Sequence, residues 1–214
     1  MFLASSALAS DPAPYRAGLA APSGWEEVDR KAVQGVGEIV VRHKVILGID
    51  CLEGTTDTTV TADVLIGLAE DIPRQKAWSS WDVPVSQKLT PGATSFDYYQ
   101  ILDNPYPIND RYWFLHATTV RDGENRIQRW EEVDPERYPE ALAAVRALSP
   151  DAVPTSVNVG DWTFAPTPTG THIRYRICTD AGGNIPRWVG EIAARTTLPT
   201  NVADIVREGL KRGR

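Results

Sequence analysis

Between Trp25 and Thr179 the chain returns repeatedly to period-two alternation of apolar and polar residues, and only after that does a long stretch adopt helical periodicity. Ile39, Val41, Val45, Leu47 and Ile49 share one face of a run from Glu38 to Ile49, preceded by a short opener from Trp25 to Val28. A Thr-rich stretch, Thr55 to Thr61, gives way to helical spacing at Ala62, Val64, Leu65, Leu68 and Ala69, interrupted at Pro73, which predicts one or two short helices. Alternation resumes in runs beginning at Val83, Thr94, Arg111, Ile127, Ser156 and Thr171. Turns at Pro91-Gly92, Asp122-Gly123 and Pro168-Thr169-Gly170 separate several of them, and a short helix is expected from Pro139 to Leu148.

The closing segment places Ile185, Trp188, Val189, Ile192 and Ala193, then Val202, Ile205, Val206 and Leu210, at helical spacing. Pro186 suits the first turn and Pro199 predicts a kink. A meander of antiparallel strands has one apolar face to bury, and the terminal helix has one apolar stripe to bury it with. The expected fold class is therefore α+β: a curved antiparallel sheet packed around a long C-terminal helix, with either a filled core or a cavity between them.

Composition narrows the partners. Hydrophobic residues at 42% exclude a disordered chain, and 214 residues suffice for one domain with its own core. A formal charge of −6 opposes the cationic stripe that binds nucleic acid, so no nucleic-acid partner is expected. No apolar run reaches the roughly 18 residues of a spanning helix. Met1 to Ala9 is small and apolar and ends in Ala7-Leu8-Ala9, which resembles the end of a signal peptide without its basic start; residues 1–23 therefore read as a signal-peptide remnant or a flexible tail. Export would imply a periplasmic or secreted protein, and its absence a cytoplasmic one. Cys51 and Cys178, both in apolar strand-like runs, read as two buried free thiols, with one bridge as the alternative.

Motif chemistry is sparse. His43, His116 and His172 fall on separate strands, with His43 and His172 on opposite faces by parity, so no metal site is expected. Gly35-Val-Gly37 and Gly182-Gly183 read as turns, and no cofactor motif is present. The acid pairs Glu26-Glu27, Glu131-Glu132 and Asp103 with Asp110 read as solvated charge, as do Arg174 and Arg176 opposite the apolar face of Ile173 and Tyr175. No catalytic residue stands out.

The informative pattern is an apolar lining with polar handles. Phe96, Tyr98, Gln100 and Leu102 share one strand face, and Trp113, Leu115, Ala117 and Thr119 share another. Gln100, Thr119 and Tyr175 are the candidates for orienting a ligand's polar end. Ile173, with Trp188, Val189 and Ile192 on the helix, would complete the lining.

Several stretches resemble the START family of lipid-transfer domains: Gly160-Asp161-Trp162-Thr163-Phe164-Ala165-Pro166, Ile173 to Gly183, Asn184-Ile185-Pro186-Arg187-Trp188-Val189 and, more weakly, Pro107 to Arg111. The resemblance spans Gly24 to Arg214, closely after Val157. It implies a helix-grip fold with a tunnel for one sterol, phospholipid or similar lipid, no catalytic step, no cofactor, a monomeric state and transient membrane contact. By position, Pro105, Tyr106 and Pro107 would lie in a gate loop at the tunnel mouth. Many members pair a tunnel Arg, near Ala117 here, with an acid near Tyr98 or Gln100; this chain has neither. Related helix-grip proteins include aromatase/cyclases and hydratases, so an enzyme using the cavity as a reaction chamber is the alternative, with His43, Tyr98 and Tyr175 as its inward titratable groups.

Overall fold

The computed structural model describes residues 11–183 and 187–213, with side chains described throughout except for 187–195. Its framework is a ten-stranded sheet: β1 (Glu26–Val33), β2 (Gly37–Ile46), β3 (Ile49–Thr58), β4 (Val85–Lys88), β5 (Ser95–Leu102), β6 (Arg111–Asp122), β7 (Asn125–Glu132), β8 (Val153–Pro154), β9 (Val157–Thr167) and β10 (Gly170–Asp180). The order is β1-β2-β3-β10-β9-β7-β6-β5-β4, antiparallel except where β8 runs parallel to β6. Among the described residues, five α-helices cover it: α1 (Ala13–Ala20), α2 (Ala62–Glu70), α3 (Ile72–Trp78), α4 (Pro139–Leu148) and α5 (Arg187–Arg212).

Period-two alternation decides what each face meets. On the concave face, Ile39 and Val41 of β2, Tyr98 of β5, Leu115 and Ala117 of β6 and Tyr175 of β10 converge on Leu198 and Val202 of α5. Tyr98 and Tyr175 sit four strands apart in the sheet yet share this cluster, so the sheet curls around the helix. Gly54 of β3 permits the contact: a Cβ there would lie 2.3 Å from Leu198 Cδ2. Beside it, Leu65 and Leu68 of α2, Phe164, Ile173, Ile205 and Val206 form a second core.

The convex face is also covered. Leu142 and Val145 of α4 pack on Tyr99, Ile101 and Phe114. Tyr15 and Leu19 of α1 pack on Ile46, Cys51, Val157, Val159 and Cys178, so part of the stretch expected as an N-terminal tail is a docked helix. Lys44 Nζ donates to the carbonyls of Gly18 (2.8 Å) and Ala21 (3.2 Å) at the negative end of α1.

Several expectations are corrected by this arrangement. The run from Glu38 to Ile49 is not one strand: Leu47 (φ 51°) and Gly48 (φ 83°) form a tight hairpin between β2 and β3. Alternation that continues through a turn looks like one strand, and in fact Val45 and Leu47 are exposed at 57% and 67%. Cys51 and Cys178 are not free thiols but a disulfide joining β3 to β10 under α1. Their pairing depends on the β3–β10 register, which places Leu52 opposite Ile177 and hence the two cysteines side by side. Arg176 is not solvated: it is buried beneath α1, donating to Glu53 Oε2 (2.7 Å) and to the Leu19 carbonyl (2.7 Å). Arg174 beside it is half-buried, and desolvation lowers its pKa. Among the described residues no helix is long and apolar enough to cross a membrane.

The disulfide spans 127 residues, for which the chain-entropy estimate is about 5 kcal/mol. The double variant Cys51→Ala/Cys178→Ala should lower the denaturation midpoint markedly, and alkylation of the denatured, unreduced parent should find no free thiol.

Candidate functional site

The concave face against Leu198, Val202 and Ala203 of α5 carries Phe96, Tyr98, Leu115, Ala117 and Tyr175, with Trp113 packed beside them. Cross-strand pairing sets its rows: Tyr98 lies opposite Leu115, which lies opposite Glu132; Phe96 lies opposite Ala117, which lies opposite Trp130; Thr119 lies opposite Gln128, which lies opposite Trp162, and that opposite Tyr175. Aromatic rings dominate, with Tyr175 contacting both Trp162 (centroids 4.1 Å apart) and Trp130 (5.6 Å).

The polar handles differ in availability. Gln100 is fully engaged: its Nε2 donates to Gln75 Oε1 and Ser86 Oγ (both 2.8 Å), and its Oε1 accepts from Trp113 Nε1 (2.9 Å). With Ser86 Oγ donating to the Ile72 carbonyl (2.5 Å), this network fastens α3 to β4 and β5, and Gln100 has no donor left for a ligand. Thr119 is the opposite case: its Oγ1 is buried without a hydrogen-bond partner among the described residues, and so is Gln128 Nε2 on the facing position of β7. Sequence reasoning did not single out Gln128, because only the β6–β7 register places it beside Thr119.

Tyr98 and Tyr175 are deeply buried, and desolvation pushes both hydroxyls well above their ordinary pKa; Tyr175 is hydrogen-bonded to Asn201 of α5. Glu132, read from sequence as solvated, shares the inner face with Leu115. It accepts from Thr155 Oγ1 (2.7 Å) and from the Asn158 backbone, and burial raises its pKa despite both bonds. Asn158, also buried, accepts from Trp130 Nε1 (2.9 Å).

Other lining positions separate. Ile173 belongs to the core between α2 and α5, and Leu102 is half-buried at the end of β5. Trp188, Val189 and Ile192 lie in α5, with their side chains outside the described residues, as is the structure of Asn184 to Pro186. Each histidine pairs with an aspartate, His43 with Asp50, His116 with Asp97 and His172 with Asp57, and among the described residues no cluster could hold a metal ion. His43 is half-exposed at the edge of the concave face.

At one end, Arg111 is buried and ties the loop before β6 to the segment after β10. Its Nε donates to the Ala181 carbonyl (2.6 Å), its guanidinium to Gly182 (3.3 Å) and Asn109 (2.6 Å). Asp110 is held by Ser149 Oγ (2.5 Å) and the Asn104 backbone (3.1 Å). On this anchored loop, between Pro105 and Pro107, Tyr106 stands 97% exposed.

The fold recurs in solved structures. A STAR-related lipid transfer protein of Xanthomonas axonopodis superimposes with a TM-score of 0.72, 23% identical, over 87% of this chain and 99% of the other. Human StAR-related lipid transfer protein 5 gives 0.76 at 13% identity, over 94% and 91%.

The fold is the START helix-grip fold.

The Zhui aromatase/cyclase of Streptomyces is more distant, with a TM-score of 0.51, 13% identical, over 77% of this chain and 95% of that one. No family model matches the chain. A curated relative, an uncharacterised protein of Pseudomonas aeruginosa, is 28% identical over 137 residues, 64% of this chain and 63% of the relative's length.

Because Glu132 has a raised folded-state pKa, ionising it costs folding stability; that loss starts as pH rises through the unfolded value near 4.5 and is complete above the raised folded value. Glu132→Gln keeps an oxygen for Thr155 but carries no charge. It should raise the melting temperature at pH 7 by a few degrees, with no gain in acid where the parent residue is already protonated, as thermal unfolding at several pH values would show.

Proposed function

We propose that this protein carries one hydrophobic ligand, a sterol, phospholipid or similar lipid, between the concave sheet and α5, and moves it without chemical change. The observation that supports this best is the combination on one inner face of Tyr98, Leu115, Trp130, Trp162 and Tyr175 with two buried polar atoms, Thr119 Oγ1 and Gln128 Nε2, that have no hydrogen-bond partner among the described residues. Buried polar atoms are normally satisfied, and the polar end of a ligand on this face would satisfy these two. Burial of acyl or ring carbons would drive binding at about 0.8 kcal/mol per CH₂ before ordering costs. The likeness to lipid transfer proteins over most of the chain adds to this reading.

Transfer requires the mouth to open at a membrane. Tyr106, exposed and flanked by prolines on a loop anchored through Asp110 and Arg111, is the group we assign to that contact. The protein is taken to act as a monomer. The disulfide is of a kind that persists in oxidising compartments, which favours a periplasmic or secreted setting over a cytoplasmic one.

A second reading, an enzyme of the aromatase/cyclase type, is favoured by Glu132: an inward carboxyl with a raised pKa can hold and deliver a proton. The two readings part on the fate of the ligand.

The test is incubation with vesicles of mixed phosphatidylcholine, phosphatidylglycerol and cholesterol, followed by native mass spectrometry and organic extraction. One lipid per chain, recovered unchanged, is expected. A protein that stays empty would refute the carrier reading, and an altered ligand would favour the enzyme. Tyr106→Ala should slow transfer between vesicles several-fold while leaving the amount bound at equilibrium unchanged, which a fluorescent-lipid transfer assay reads directly.

A further inference from the structure

On the convex face, between α1 and α4, a cleft of about 480 Å³ opens above β5, β6 and β7, lined in part by Ser95, Asp97, His116, Glu131, Arg137 and Tyr138. On β5 and β6, Ser95, Asp97 and His116 alternate with Phe96, Tyr98, Leu115 and Ala117, so they point away from the proposed lipid cavity. Nothing in the ligand-binding reading uses them.

Their arrangement is ordered. Asp97 and His116 are cross-strand partners, and His116 Nδ1–H donates to Asp97 Oδ1 at 2.5 Å. Asp97 is buried, and its second oxygen accepts from the Tyr138 hydroxyl and lies 3.6 Å from the Arg137 guanidinium. That bond fixes the imidazole so that Nε2 turns its lone pair outward. Two hydroxyls face it: Ser95 Oγ at 3.4 Å and Thr118 Oγ1 at 3.1 Å. Ser95 is exposed and carries a primary hydroxyl, whereas Thr118 is half-buried and β-branched. Glu131 sits on the other side of His116 and is neutralised by Arg16 of α1 at 2.6 Å.

We propose that Ser95, His116 and Asp97 form a hydrolytic site on the convex face, with Ser95 as nucleophile and His116 as general base, acting on small carboxylic esters. Hydroxyl, imidazole and carboxylate stand in the order that nucleophilic acyl transfer needs, and free structures commonly show the nucleophile–base bond at the long end of its range. Asp97 and Tyr138 are positioning residues. Arg137, which lines the cleft while facing Asp97 at 3.6 Å, is the cation we assign to a developing oxyanion. The open, polar cleft suits a short acyl group better than a lipid tail.

The chemistry closes with water alone. Ser95 Oγ bonds to the ester carbonyl carbon as its proton passes to His116 Nε2, and the alcohol leaves with that proton as its C–O bond breaks. Water then bonds to the same carbon, gives a proton to Nε2, and that proton returns to Ser95 Oγ as the acyl–serine bond breaks, releasing the carboxylic acid.

The experiment is p-nitrophenyl acetate hydrolysis by the full chain, with peptide mapping of the adduct left by a fluorophosphonate. The adduct is expected on Ser95, and Ser95→Ala and His116→Gln should each lower turnover at least about tenfold. Ser95→Ala should melt as the parent does, since its side chain is exposed, and Thr118→Val should keep activity within about twofold. Asp97→Asn should lower kcat with KM unchanged, a split that loosened packing alone would not give; if that variant does not fold, Tyr138→Phe serves the same purpose. Absence of an adduct, an adduct on Thr118 or elsewhere, or turnover by Ser95→Ala within about twofold of the parent overturns the proposal.

Discussion

The close approach of α5 to the concave face of the sheet is the constraint on which the rest depends. At β3 the approach is possible only because Gly54 has no side chain where Leu198 lies. The curl that brings Tyr98 and Tyr175 together exists because strands from β2 to β5 all bury the same face against one helix. A flat sheet would leave half of that face wet. Gly160 plays the parallel role on β9, where a Cβ would meet the Trp130 ring at 2.2 Å; its absence lets that ring lie across the strand toward Asn158.

Covering the convex face solves a different problem. Strands that bury residues of both parities need a second layer, and α1 and α4 supply it over separate ends of the sheet. Under α1 the layer is pinned three ways: by the Cys51–Cys178 disulfide, by the buried Glu53–Arg176 pair, and by Lys44 reaching the helix carbonyls. A buried ion pair contributes little over a well-packed apolar pair, but losing one member strands a charge. Arg176 also donates to the Leu19 carbonyl, so its charge is paired and a second N–H group has an acceptor. The uncovered strip between the two helices is where Ser95 and His116 come to the surface, with Asp97 buried beneath them.

Inside and outside thus carry different chemistry on one set of strands. β5 and β6 send Phe96, Tyr98, Leu115 and Ala117 into the grip and Ser95, Asp97 and His116 into the convex cleft, a division enforced by the pleat alone. Within the grip the polar atoms sort by whether protein already satisfies them. Gln100 is spent on holding α3, while Thr119 and Gln128 keep atoms without partners among the described residues.

Most of the architecture was legible in the sequence, because alternation and helical spacing report directly on which side of an element faces the core. The antiparallel meander, the terminal helix and the inward faces of β5 and β6 follow from periodicity, which is a local property. What periodicity could not supply was register and the second layer. The β2–β3 hairpin was hidden because alternation continued through Leu47 and Gly48. The disulfide was hidden because it depends on β3 meeting β10, strands whose cysteines lie 127 residues apart in the chain. Arg176 and Glu132 looked solvated because polarity is read from composition, whereas the burial of Arg176 and the half-burial of Glu132 follow from α1 docking on one face and the β6–β7 pairing on the other. The sequence by itself determined which residues share a face. Only the tertiary structure decided which faces meet, because the partners of a strand are set by long-range pairing that no local period encodes.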